Sequence, residues 1–167
     1  MTVIGLGNSE MGDDGVGVAL VEMLRAEQEA GRWACSAGRV AGREPVRLVT
    51  ADRDPALAGA CIAEGDPALL VDAVDMRREP GSWRVFRPDD ADFPASERSA
   101  STHSLGAAEM VELARHLGLA GGLRLLGIQF ADLSPGRGLS AALSRRLPEL
   151  LDTIKQEVGH EEDTHRR

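Results

Sequence analysis

No tyrosine occurs in this 167-residue chain, and the other aromatics are two tryptophans and three phenylalanines. A core this poor in aromatics must be built mainly from Leu, Val, Ile and Ala, which suits layered packing of helices on a sheet. Cysteine is scarce: Cys35 and Cys61 are the only two, and no CxxC pair exists. That excludes a zinc knuckle and a thioredoxin-type redox motif. Cys61 reads as a small hydrophobe on a helix, and both as free thiols. Positive charge is also in deficit. Nineteen Lys and Arg stand against 27 Asp and Glu, a formal net charge of −8. Nucleic acid and anionic membrane both need clustered cations, so neither is an expected partner. No apolar run reaches the length of a membrane span. No basic stretch precedes the first apolar run, so no leader is expected and the cytoplasm is the expected location. The oligomeric state is not legible, and a monomer is the default expectation.

Hydrophobic residues make up 43% of the chain, and the length suits one domain with a real core. One α/β domain is expected over 1–158, followed by a charged, disordered tail over 159–167. Thr2–Leu6 reads as a buried strand. A loop over Gly7–Gly15 follows, and then a helix with Val16, Ala19, Leu20, Met23 and Leu24 on one face. Asp13 or Asp14 stands where its N-cap belongs. Gly31–Arg43 reads as an irregular insert. Val46–Thr50 is a second strand. Asp54-Pro55 opens a short helix to Ala63, with Pro at its first position. Ala68–Ala73 is a continuous apolar run, hence a buried parallel strand. Ser82–Phe86 follows too soon for a crossover helix, so it should run antiparallel to its predecessor. Pro88–Ser99 reads as a mobile loop. A helix is expected over Ser104–Leu117 with Thr102 as cap, then a last strand over Leu123–Phe130. Leu143, Leu147, Leu150, Leu151, Ile154 and Val158 form the stripe of a final helix, with a kink or restart at Pro148.

In an open α/β sheet, ligands collect beyond the carboxyl ends of the parallel strands. Three segments should converge there. They are the first loop with Glu10, Asp13 and Asp14, the end of the third strand with Asp72 and Asp75, and the turn Ser101-Thr102-His103. Two carboxylates and an imidazole make a metal site with open positions. Taken singly, each residue has a duller reading. Asp13 and Asp14 suit a helix cap, Asp72 a backbone acceptor, and His103 a surface or capping role. His116, His160 and His165 read as solvated. A nucleotide reading fails, because Gly5-x-Gly7 lacks the third fingerprint glycine and no P-loop exists. No GxSxG nucleophile elbow is present either.

Four ordered segments carry a resemblance: VIGLGNSEMGDDGVG, VDAVDM with RREPGSWRVFRPDD, STHSLG, and LLGIQ. From Val3 to about Leu139 the chain resembles the hydrogenase maturation endopeptidases, and most of all the branch serving the formate-hydrogenlyase hydrogenase. That resemblance implies a single three-layer domain, with a twisted, mostly parallel five-stranded sheet, one antiparallel strand and helices on both faces. The strand reading arrives at the same arrangement. It further implies an endopeptidase that removes the C-terminal extension of a nickel–iron hydrogenase large-subunit precursor once nickel is inserted. Nickel is then carried by the precursor. Asp14, Asp72 and His103 match the family's metal-contacting and catalytic positions, with Glu replacing Asp14 in some relatives. Where the family has a glycine-rich turn after the second strand, this chain has Ala51-Asp52-Arg53-Asp54. The same three residues would serve a nickel-sensing chaperone that binds the precursor without cutting it, and sequence barely separates the two.

Overall fold

The computed structural model describes residues 1–33, 46–93 and 106–164, without the side chains of 161–164. Five strands, β1 (Thr2–Gly7), β2 (Arg47–Asp52), β3 (Ala68–Val74), β4 (Trp83–Phe86) and β5 (Leu123–Gln129), form one sheet in the order β2-β1-β3-β5-β4. All neighbours are parallel except β4, which lies antiparallel to β5 at the edge. The expected antiparallel strand is therefore present, paired with β5 rather than with its predecessor β3.

Two apolar clusters sandwich the sheet. On one face, Val3, Leu69, Val71, Leu126 and Ile128 pack on α1 (Val16–Glu29), α4 (Ala141–Ser144) and α5 (Leu147–Thr164). On the other, Ile4, Leu6, Leu70 and Leu125 pack on α2 (Pro55–Ala63) and α3 (Ala107–His116). The alternation of buried residues along β1, β3 and β5 feeds both clusters, as strands covered on two faces require. Cys61 is buried in α2, packed as a small hydrophobe.

Local chemistry explains the helix ends. Asp54 caps α2 by accepting the Leu57 N–H at 3.0 Å, with Pro55 first in the helix. Glu109 accepts the Gly106 N–H at 2.9 Å and so caps α3. The expected cap Thr102 and the start at Ser104 lie outside the described residues, and the described helix begins at Ala107. Pro148 does mark a restart, because α4 ends at Ser144 and α5 opens at Leu147 with the proline in its first turn. The backbone of α5 stays helical to Thr164, into the stretch expected to be a tail. Among the described residues, no helix is long and apolar enough to cross a membrane.

One expectation needs correction. The buried residues of α1 are Val16, Gly17, Val18, Leu20, Val21 and Leu24, while Met23 is 37% exposed. The helix is rotated because Gly17, rather than a large side chain, faces the sheet. β1 and β3 pair only as far as Gly5 and Val71. Beyond that point β1 follows β2 to Gly7–Asp52, and β3 follows β5 to Val74–Gln129. The first turn of α1 wedges into this split. A Cβ on Gly17 would lie 2.2 Å from the Val71 carbonyl oxygen and 2.6 Å from that of Leu6. Neither atom is a movable side-chain tip. Gly17→Ala is therefore expected to destabilise the fold by about 3 kcal/mol, read as a lower urea midpoint at unchanged m-value.

Candidate active site

The split between β1 and β3 is the sheet's topological switch point, since the chain leaves β1 toward β2 on one side and returns to β3 on the other. A tight 3-10 turn at Gly12–Gly15 closes it and carries both aspartates of the first loop. Asp13 or Asp14 was a candidate N-cap for α1, Asp13 the more so. Neither serves: the helix N-cap is Gly15, with no side-chain cap bond. In a 3-10 turn, successive side chains diverge by about 120°, so the two neighbours point into different surroundings.

Asp13 is wholly buried and structural. Its carboxylate accepts the backbone N–H groups of Ala131 at 2.8 Å, Asp132 at 3.0 Å and Ser140 at 2.6 Å. Its own N–H donates to the Asp132 carbonyl at 2.8 Å. It thus ties the first loop to the segment after β5.

Asp14 faces the split. It is 5% exposed, and its Oδ2 is the only buried side-chain nitrogen or oxygen among the described residues with no hydrogen-bond partner. Burial raises its pKa above the usual carboxylate range, against the Asn8 N–H, and the Asp52 charge adds to the rise. An unsatisfied buried carboxylate oxygen is costly, and such groups mark places where a ligand completes the valence.

Asp72 lies one residue past the last paired residue of β3 with β1, on the face covered by α2 and α3. Its Oδ2 accepts the N–H of Ala107, the first residue of α3, at 3.0 Å. Burial, opposed by the Ala107 bond and reinforced by the Asp14 charge, lifts its pKa to about 7. The two acids therefore share one low-dielectric corner. Each raises the cost of ionising the other, an arrangement that favours a cation.

The third predicted residue, His103, lies outside the described residues. Among those described, no group of three His, Cys, Asp or Glu is placed to hold a metal. The other candidates fall away from the corner. Glu10 is on the surface, paired with Arg53 at 2.7 Å. Asp75 turns back to accept the Arg77 N–H at 2.9 Å. His116 is exposed against the Glu112 carbonyl.

Two residues of the site were not read from the sequence. Asp52, at the end of β2, accepts Ser9 N–H at 3.0 Å and Ser9 Oγ–H at 2.6 Å, and so fixes the loop that supplies the Asn8 N–H to Asp14. The strand runs two residues past the expected end at Thr50, and that brings Asp52 to the sheet edge. Arg53 follows with φ 57, a left-handed backbone that glycine adopts freely. The chain thus keeps a glycine-like turn without the glycine. Gln129, at the end of β5, is buried and binds the turn after β3.

The chain as a whole is similar to known proteins. A family model described as HycI, hydrogenase maturation protease, matches residues 43–157. The hydrogenase 3 maturation protease of Escherichia coli (strain K12) is 36% identical over 85 residues, 51% of this chain and 47% of that protein. The chain therefore spans about half the length of that relative. The hydrogenase expression/formation protein HupD of Rhizobium leguminosarum bv. viciae is 27% identical over 154 residues, 90% of this chain and 70% of the relative. A NiFe hydrogenase maturation protease HycI from Thermococcus kodakarensis KOD1 superposes with TM-score 0.66 at 20% identity, covering 95% and 91% of the two chains. The hydrogenase maturating endopeptidase HybD of Escherichia coli gives 0.66 at 21%, covering 96% and 92%. The fold is the one these structures share.

The acid pair sets a pH dependence. Asp72 has an ordinary value of 3.8 and a folded value of about 7, so between these limits the native state holds a proton that the unfolded chain releases. Stability contributed by this group is then complete below about pH 4 and falls as pH rises toward 7. In metal-free buffer, Asp72→Asn should remove that fall and stabilise the protein at pH 8 by on the order of 1–4 kcal/mol. Urea midpoints of both proteins from pH 4.5 to 8 check it. Parallel curves would refute it.

Proposed function

The chain belongs to the hydrogenase maturation protease family, and on that premise we propose that it is an endopeptidase acting on the large-subunit precursor of a nickel–iron hydrogenase. It removes the precursor's C-terminal extension after nickel has been inserted. The observation that carries this reading is the unpartnered Oδ2 of Asp14, buried beside Asp72 at the switch point.

The nickel is part of the substrate. It supplies the Lewis acidity that prepares the peptide carbonyl for attack by water. The chain's own residues recognise and orient it. Asp14 offers the free oxygen and Asp72 the second carboxylate, already fixed in direction by the Ala107 N–H. His103, three residues before Gly106, completes the proposed set. Water adds to the carbonyl carbon, the carbon–nitrogen bond breaks, and the leaving amine takes up a proton. That proton passes through His103 or whichever carboxylate is not engaged with the cation. Discrimination follows from electrostatics, because two like charges buried together repel until a cation arrives. A precursor without nickel brings no such partner.

Incubation with nickel-loaded and nickel-free precursor, followed by mass spectrometry, tests this. The native chain should release the extension only from the nickel-loaded form. Asp14→Asn, Asp72→Asn and His103→Ala should each slow cleavage by about 10- to 100-fold or more, since loss of even an outer-shell partner of a metal costs that much. Undiminished cleavage by any one of them would remove that residue from the site. A stable complex with unchanged precursor mass would favour the non-cleaving chaperone instead.

A further inference from the structure

Beyond Asp72 the chain makes a turn, Asp75-Met76-Arg77-Arg78, whose three successive N–H groups are all held by buried or half-buried side chains. Gln129 Oε1 accepts Met76 N–H at 2.7 Å and Arg78 N–H at 3.2 Å, and Asp75 Oδ1 accepts Arg77 N–H at 2.9 Å. The Gln129 amide nitrogen is anchored in turn, to the Phe130 carbonyl at 3.3 Å. Arg77 has φ 54, a conformation in which an L side chain costs of order 1 kcal/mol and glycine none.

The strained turn presents two guanidinium groups. Arg77 and Arg78 are exposed, and neither side chain has a partner among the described residues. With Asp75, Met76, Phe86 and Asp92 they line a cavity of about 220 Å³, room for one side chain. The acids in its wall are engaged, Asp75 by the turn and Asp92 by Arg84. Arg84 itself stacks over Phe86 at 4.9 Å. The lining therefore combines an apolar floor of Met76 and Phe86 with two guanidinium groups that have no partner among the described residues, on a chain whose net charge is −8.

We propose that this cavity is a substrate subsite for an acidic, apolar-flanked stretch of the precursor, resting on the protease reading above. Its apolar floor holds a side chain, and Arg77 and Arg78 pair with neighbouring carboxylates. The turn begins three residues after Asp72, so an extended peptide crossing from the acid corner covers the gap in about three residues, roughly 10 Å. The acidic residue then lies about three positions from the cleaved bond. Pairing with these two guanidinium groups sets the register of that stretch.

The probes are the peptides acetyl-Leu-Glu-Leu-Glu-amide and acetyl-Leu-Lys-Leu-Lys-amide, titrated into the full chain while the backbone amides of Arg77 and Arg78 are followed by NMR. The acidic peptide should shift both resonances saturably, with a response that weakens in high salt, and the lysine peptide should not. Arg78→Gln and Arg77→Gly should each weaken binding by about fivefold or more. Arg77→Gly separates binding from folding, because glycine accepts this φ and Tm should hold or rise. With precursor as substrate, both variants should raise KM and leave kcat unchanged. Equal response to both peptides, silent Arg77 and Arg78 resonances, or an unchanged KM in the variants would overturn the subsite. If the acidic peptide binds as described but the native chain cuts no precursor, the protease reading falls and the cationic cavity stands. If precursor is cut while Arg77 and Arg78 stay silent, the reverse holds.

Discussion

The backbone-on-backbone wedge of α1 between β1 and β3 is the constraint on which the rest of this molecule depends. It exists because Gly17 offers no side chain where the Leu6 and Val71 carbonyls come closest. Pushing the helix out by the width of a methyl group would withdraw the 3-10 turn that precedes it. Asp14 would then leave the corner it shares with Asp72. Packing and chemistry are coupled here through hard contacts, which transmit small shifts instead of absorbing them.

Around this wedge, every strand whose carboxyl end points to the site contributes a fastening. Asp52 from β2 holds Ser9, Asp13 clasps the segment after β5, and Gln129 secures the turn after β3. Asp72 reaches across to the start of α3. These bonds hold the loops at the site and, among the described residues, leave a single buried oxygen unserved. A site so braced meets its partner with little reorganisation to complete.

Much of this was legible from the chain. The five strands, their order of appearance and the antiparallel fourth followed from apolar runs and from the short gap after Val74. Asp14 and Asp72 stood out because acids at the ends of hydrophobic strands have no packing rationale. Asp13 was rightly suspected of a structural role, but the role is tertiary. Its partners lie 118 to 127 residues away, a distance no local capping rule spans. The rotation of α1 escaped for a similar reason, since helical periodicity rewards large side chains and is blind to a glycine pressed against carbonyls. Asp52 was hidden by a strand that ran two residues longer than its apolar residues suggested. Gln129 gave no signal, because an amide at a strand end looks the same whether it faces solvent or anchors a turn.

The adjacent aspartates diverge in what a lineage can do with them. Asp13 sits inside a cage of three amide hydrogens with its length matched to theirs. A longer glutamate has nowhere to put the extra methylene, so that position is locked by volume. Asp14 has one buried oxygen that no donor holds. There a glutamate extends toward the same target and keeps its charge. Two identical letters side by side therefore meet substitution under unequal rules, one locked by its cage of amides and one with an oxygen that nothing in the fold holds.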